Sequence, residues 1–168
     1  MEKLKNQQDF EELRWLNKAI NPKIANKSLR VIHVEGGEAV ATDGHRMHVA
    51  QTSLDDGNYI VELSNAKKII LQQVNLETPF PDYKMVLPKE KREVYAKHDV
   101  CANHTSWAIA AIIRELSKQW AVNIDYLIDA LDNFKQYQWR IYIADSGATE
   151  KVYLENNKCK ALIMPLKN

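Results

Sequence analysis

Long apolar runs, cysteine and a surplus of one charge are what this 168-residue chain has least of. Nowhere do about 18 uncharged apolar residues follow one another, so no segment reads as a membrane-spanning helix. The opening MEKLKNQQDFEEL holds no apolar stretch that would serve as a signal peptide, and a cytoplasmic location without a membrane partner is expected. The two cysteines, Cys101 and Cys159, are too few for a disulfide framework and read as reduced thiols. A formal net charge of +1 argues against extensive phosphate contact, because a face that holds DNA carries a clear basic excess. There is no low-complexity segment.

Catalytic signatures are equally sparse. Gly36-Gly37 lacks the lysine and the spacing of a phosphate loop and reads as a hairpin turn. His45 stands near Asp43, but no serine or cysteine in a strained elbow accompanies them, so hydrolase chemistry has no nucleophile. His98, Cys101 and His104 fall at intervals of three around Asp99. Zinc would need a fourth ligand, with Cys159 or His33 recruited by the fold, and no second paired motif supports it. The expectation is a protein with no metal, no cofactor and no enzymatic activity. A small metal- or thiol-dependent enzyme centred on His98, Cys101 and His104 is the most distant alternative.

What is present is an ordinary globular composition, 45% hydrophobic and 27% charged, with clear periodicity. Over residues 7–20, Phe10, Leu13, Leu16 and Ile20 recur at helical spacing, with Asp9, Glu11, Glu12, Arg14 and Lys18 opposite. Asn6 is the expected cap and Asn21-Pro22 the expected end. Strands are expected over 29–34, 38–42, 46–52 and 59–63, and a short helix capped by Ser64 over 65–73.

Around Pro79, Pro81 and Pro88 the texture changes, and Lys84, Lys89, Lys91, Arg92 and Lys97 collect charge, interleaved with Asp82, Glu90 and Glu93. This stretch reads as a solvated connector, with a strand over 92–100. An amphipathic helix follows, marked by Trp107, Ile109, Ile112, Ile113, Leu116 and Trp120 and capped by Asn103 or Thr105. A brief strand over 121–124 leads to a third helix with Leu127, Leu131 and Phe134 on one side. Strands over 139–144, 151–155 and 160–166 close the chain, separated by Asp145-Ser146-Gly147 and Asn156-Asn157 turns. Trp15, Trp107, Trp120 and Trp139 sit at spacings that make them core anchors rather than stacking platforms for bases. The helix-then-strands order occurs twice, a weak internal duplication.

Three pieces carry a more specific message: Ala41-Thr42-Asp43-Gly44-His45-Arg46-Met47, Phe80-Pro81-Asp82-Tyr83-Lys84-Met85-Val86-Leu87-Pro88, and the closing Leu162-Ile163-Met164-Pro165-Leu166. In this order they resemble the bacterial DNA sliding clamp, the β subunit of DNA polymerase III. The resemblance also takes in Asn123 to Leu131 and implies an α+β, DNA clamp-like fold with helices packed on antiparallel sheets. The chain is expected to be reduced to about one to one and a half clamp domains, so that a ring would need several copies. Strands normally found between Leu63 and Phe80, and before Val122, are expected to be missing. The divisions expected are an amino-terminal half over 1–78, a connector over 79–97 and a carboxy-terminal half over 98–168.

In that family partner proteins dock a short peptide, usually a glutamine followed by apolar residues, between the second and third domains. By position, Thr42, Gly44, His45, Arg46 and Met47 match one wall of the groove, and Pro81, Met85 and Val86 its floor. Asn123, Tyr126 and the tail Leu162, Ile163, Met164, Pro165 and Leu166 match the rest. A terminal strand with Leu162, Met164 and Leu166 on one face, closed by Pro165, is expected to leave an apolar lip. Met and Leu suit such a lip because they adapt to several apolar side chains.

The expected function is therefore binding of clamp-interaction peptides, with DNA polymerase or other replication and repair proteins as partners. Encirclement of DNA is expected to be weak or lost in a monomer, since the helix from Asp125 carries Asp125, Asp129 and Asp132 against Lys135 alone. An oligomeric ring acting as a processivity factor, nucleoid-associated through DNA, is the first alternative.

Overall fold

Apolar side chains recurring every three to four residues build helix α1 (Gln7–Asn17), which opens the computed structural model. The structure describes residues 7–97, 104–116, 120–132, 139–145 and 149–167. They fall into two units, Met1–Asp82 and Tyr83–Asn168.

In the first unit α1 is followed by five strands: β1 (Ile32–Glu35), β2 (Glu38–Thr42), β3 (Arg46–Gln51), β4 (Gly57–Ser64) and β5 (Ile69–Val74). They form an antiparallel sheet in the order β5-β4-β1-β2-β3. Short turns make the β1–β2, β2–β3 and β4–β5 neighbours, while β4 returns beside β1 with Ile32 opposite Tyr59. Leu13, Trp15 and Leu16 are buried, as are Ile32, Val34, Val40, Met47, Val49, Tyr59 and Leu71 of the sheet. Trp15 stacks on His48 of β3, ring centres 4.2 Å apart, and its carbonyl lies 3.0 Å from His48 Nδ1.

Four expectations for this unit are corrected. Helix α1 stops at Asn17 rather than Ile20, because Lys18, Ala19 and Ile20 each donate to the carbonyl three residues back, tightening the last turn. Asp9 and Glu12, expected on the solvent side, are buried; Asp9 accepts hydrogen bonds from the hydroxyl and the backbone N–H of Ser53. The helix expected over 65–73 is strand β5. Asn65 closes a hairpin instead of opening a helix: its side chain accepts from the N–H groups of Lys67 and Lys68, and its own N–H donates to the Lys68 carbonyl. The β-branched Ile69, Ile70 and Val74 then favour pairing with β4. Likewise the strand expected from Leu29 starts at Ile32, after a 3₁₀ turn over Lys27–Leu29 capped by Asn26.

The second unit opens on a 3₁₀ turn, Tyr83–Val86, and continues through β6 (Arg92–Lys97), α2 (His104–Glu115), β7 (Trp120–Ala121), α3 (Ile124–Asp132), β8 (Trp139–Asp145), β9 (Glu150–Glu155), β10 (Cys159–Ile163) and β11 (Leu166–Lys167). Strands run antiparallel in the order β10-β9-β8-β6, and β11 pairs with β7. The buried faces of the helices, Ala108 and Ile112 of α2 with Leu127, Ala130 and Leu131 of α3, complete a core with Ile141, Ile143, Val152, Leu154, Ala161, Leu162 and Ile163. Trp139 is buried here as expected and Trp120 only half so.

The final strand expected over 160–166 is broken in two: Pro165 has no N–H to donate, so β10 ends at Ile163 and pairing resumes with Leu166 opposite Ala121. The strand expected to Ile124 ends at Ala121, because Asn123 turns to cap α3, its side-chain oxygen accepting from the N–H of Asp125 at 2.9 Å. The turn at Asn156 is held the same way, with Lys158 and Cys159 donating to its side chain. Asn6, Asn103, Phe134 and the Ser146-Gly147 step lie outside the described residues, as does the side chain of Trp107. Each unit has the α+β build expected, helices on antiparallel strands.

Candidate functional site

Asp43 organises the hairpin between β2 and β3. Its carboxylate, buried, accepts from the backbone N–H groups of His45 and Arg46, each at 3.0 Å, and from Arg46 Nε at 3.2 Å. The Thr42 hydroxyl donates to the Arg46 carbonyl at 2.7 Å and accepts from the Gly44 N–H at 3.1 Å. Gly44 takes φ +84°, a conformation that costs glycine nothing. Thr42, Asp43 and Arg46 are thus used to fix their own turn, and what the motif presents outward is Gly44, His45 and part of Arg46. Met47 is buried, so the expectation that it lines an open wall is corrected: it opens a run, Met47 to Ala50, that is covered on both faces of β3.

Phe80, just ahead of Pro81, is fixed in the same unit by stacking on His33 at 4.7 Å, and His33 Nδ1 lies 2.9 Å from the Asn58 side-chain oxygen. Pro81 itself is exposed.

In the second unit Tyr83 is buried and pins the 3₁₀ turn, while Met85 two residues on is 81% exposed and Val86 is 43% exposed. The chain beyond is tied down by Lys91, whose ammonium lies 4.4 Å from the Tyr142 ring centre and 4.6 Å from that of Tyr153 and pairs with Glu155. The two tyrosines face each other across β8 and β9. Burial opposes charge on Glu155, but hydrogen bonds from Lys91, Tyr153 and Tyr142 outweigh it and hold the carboxyl below its ordinary range. Burial pushes the Tyr142 hydroxyl up, with Arg140 opposing and Glu155 reinforcing the shift. Arg92 likewise pairs with Glu115 at 2.7 Å. The basic residues read as a solvated connector are in part structural anchors, a role composition alone does not reveal.

Among the remaining candidates Asn123 and Tyr126 are half-buried at the start of α3, Met164 and Pro165 are half-buried, and Leu166 is largely exposed. Leu162 and Ile163 are buried in β10, so the place of Leu162 on an apolar lip and that of Ile163 in the groove are corrected as well. The lip expected of the tail reduces to Met164, Pro165 and Leu166. Among the described residues no group of three histidine, cysteine or acidic side chains is arranged to hold a metal. His98 and Cys101 lie outside them, and so does the side chain of His104. No helix of the described residues is long and apolar enough to cross a membrane.

This order of helices and antiparallel strands is the fold of bacterial DNA sliding clamps. The DNA polymerase sliding clamp of Pseudomonas aeruginosa superimposes with a TM-score of 0.61 and 18% identity, over 95% of this chain and 65% of that one. DNA polymerase III subunit beta of Borrelia burgdorferi, solved with a natural product, gives 0.63 and 16% over 100% of this chain and 64% of that one. The Helicobacter pylori beta clamp bound to a DNA ligase peptide gives 0.61 and 14% over 95% and 62%. The chain therefore spans slightly less than two thirds of the length of these clamps. No protein-family model matches the chain, and no curated protein does.

Proposed function

We propose that the protein is a non-enzymatic, clamp-like peptide-binding protein of DNA replication or repair, acting in the cytoplasm through proteins that carry a clamp-interaction peptide. The observation that carries this reading is the exposure of Met85: a large apolar side chain stands in solvent on a turn whose neighbour, Tyr83, is firmly buried. A rigidly presented methionine costs solvation in the free protein and is suited to an apolar peptide side chain. Leu166, Met164 and Pro165 offer further apolar surface, and Asn123 and Tyr126 supply polar atoms for the peptide backbone. Val86 completes this set, and Thr42, Gly44, His45, Arg46 and Pro81 of the first unit are proposed as peptide contacts by resemblance to the clamp motif alone. The peptide-bound clamp of Helicobacter pylori supports the reading by fold alone.

The test is a fluorescence anisotropy titration with a labelled peptide of glutamine followed by apolar residues. Saturable binding is expected, and Met85→Asp should weaken it by about 1–3 kcal/mol. Because Leu162 and Ile163 belong to the core, the tail is probed with Leu166→Asp rather than by removing 162–168. Unchanged affinity in both variants, each still folded by circular dichroism, would overturn the assignment.

A further inference from the structure

We infer that the outer face of α2 and α3 is a docking surface for a cationic amphipathic helix of a partner protein. Three isoleucines stand out of these two packed helices: Ile113 is 55% exposed, Ile124 41% and Ile128 48%. Ile124 and Ile128 are one turn apart on α3, and Asp132 continues their row. The buried faces of the same helices are already filled by Ala108, Ile112, Leu127, Ala130 and Leu131, so the isoleucines are not needed for the core. Ser106 and Ala110 extend the uncharged surface along α2.

The sign of the surrounding charge selects the occupant. Helix α3 carries Asp125, Asp129 and Asp132 and no basic residue. On α2 the basic Arg114 is drawn towards Glu115 at 3.0 Å. A nucleic acid would bring phosphates against three aspartates and find no apolar partner for the isoleucines. A second copy of this chain meeting face to face would set the same aspartates against each other. A helix with leucine or isoleucine every three to four residues, flanked by lysine or arginine, satisfies both the apolar row and its acidic rim. This surface adjoins Asn123 and Tyr126 of the proposed peptide set, but it is tested through Ile128 and Asp132 and the peptide set through Met85 and Leu166, so its failure would leave that reading standing.

The probe is a fluorescein-labelled peptide of about 18 residues with leucine at helical spacing and lysine elsewhere, compared with one in which glutamate replaces every lysine. Added to the full ¹⁵N-labelled chain, the lysine peptide should shift backbone resonances of residues 106–132 and bind saturably, and the glutamate peptide should not. Ile128→Arg should weaken the lysine peptide about tenfold. Asp125→Asn with Asp132→Asn should weaken it less and flatten its salt dependence. The inference is overturned if the two peptides bind alike, if the shifts fall outside α2 and α3, or if the folded Ile128→Arg variant binds as well as the parent. It is equally overturned if duplex DNA, or raising the protein concentration alone, produces the same shifts.

Discussion

Asp43 carries more of the hairpin than any other single residue. Two backbone N–H groups and the Arg46 guanidinium converge on one buried carboxylate, so its removal leaves donors unsatisfied as well as breaking an ion pair. Asp43→Ala should cost about 2–3 kcal/mol in urea unfolding, and Asp43→Asn, which keeps an acceptor for the N–H groups, clearly less. Gly44 is a different case. A Cβ there would meet nothing within 4 Å, so Gly44→Ala tests backbone conformation alone and should cost about 1–2 kcal/mol, with asparagine milder. A penalty beyond that range would mean the glycine serves close packing. The motif was legible from sequence because its letters are consumed locally, in a turn that needs no distant partner. The burial of Met47 was less legible, because β3 is covered on both faces from Met47 to Ala50 and no alternation marks an inward side.

At the scale of elements, legibility followed how much of the evidence was local. Strand β2 begins and ends where its short apolar run is bounded by Glu38 and Thr42, and α1 carries the apolar stripe as far as Leu16. Residues 65–73 misled because Ser64 and Asn65 serve equally as helix caps and as hairpin formers, and only pairing with β4 decides between them. The Lys91 anchor was invisible for a related reason: Tyr142, Tyr153 and Glu155 come together only once β8 and β9 pair. Lys91→Met should lower stability near neutral pH by about 1 kcal/mol, discounted for the partial exposure of the pair. Glu155 titrates below its unfolded value, so its contribution is complete above the ordinary carboxylate range and disappears as pH falls through the folded value. The gap between parent and variant should therefore narrow in acid, measured by thermal melts across pH, leaving only the ammonium–aromatic part. A gap independent of pH would place the effect on the rings alone.

For the whole molecule the question is whether a clamp fold still implies a clamp. On the proposed reading, a net charge of +1 and the three aspartates of α3 predict a weak hold on a phosphate backbone. Encirclement has a diagnostic that contact lacks: a ring stays on closed circular DNA and slides off linear ends, whereas a protein held by contacts treats both alike. We expect a 19.4 kDa monomer by light scattering, and equal, weak and salt-sensitive retention on nicked circular and linear plasmid. Selective retention on the circle together with a stable oligomer would restore the ring alternative. Such a ring would have to close with isoleucines and aspartates of α2 and α3 turned away from the duplex, since turned towards it they would desolvate against phosphate without compensation.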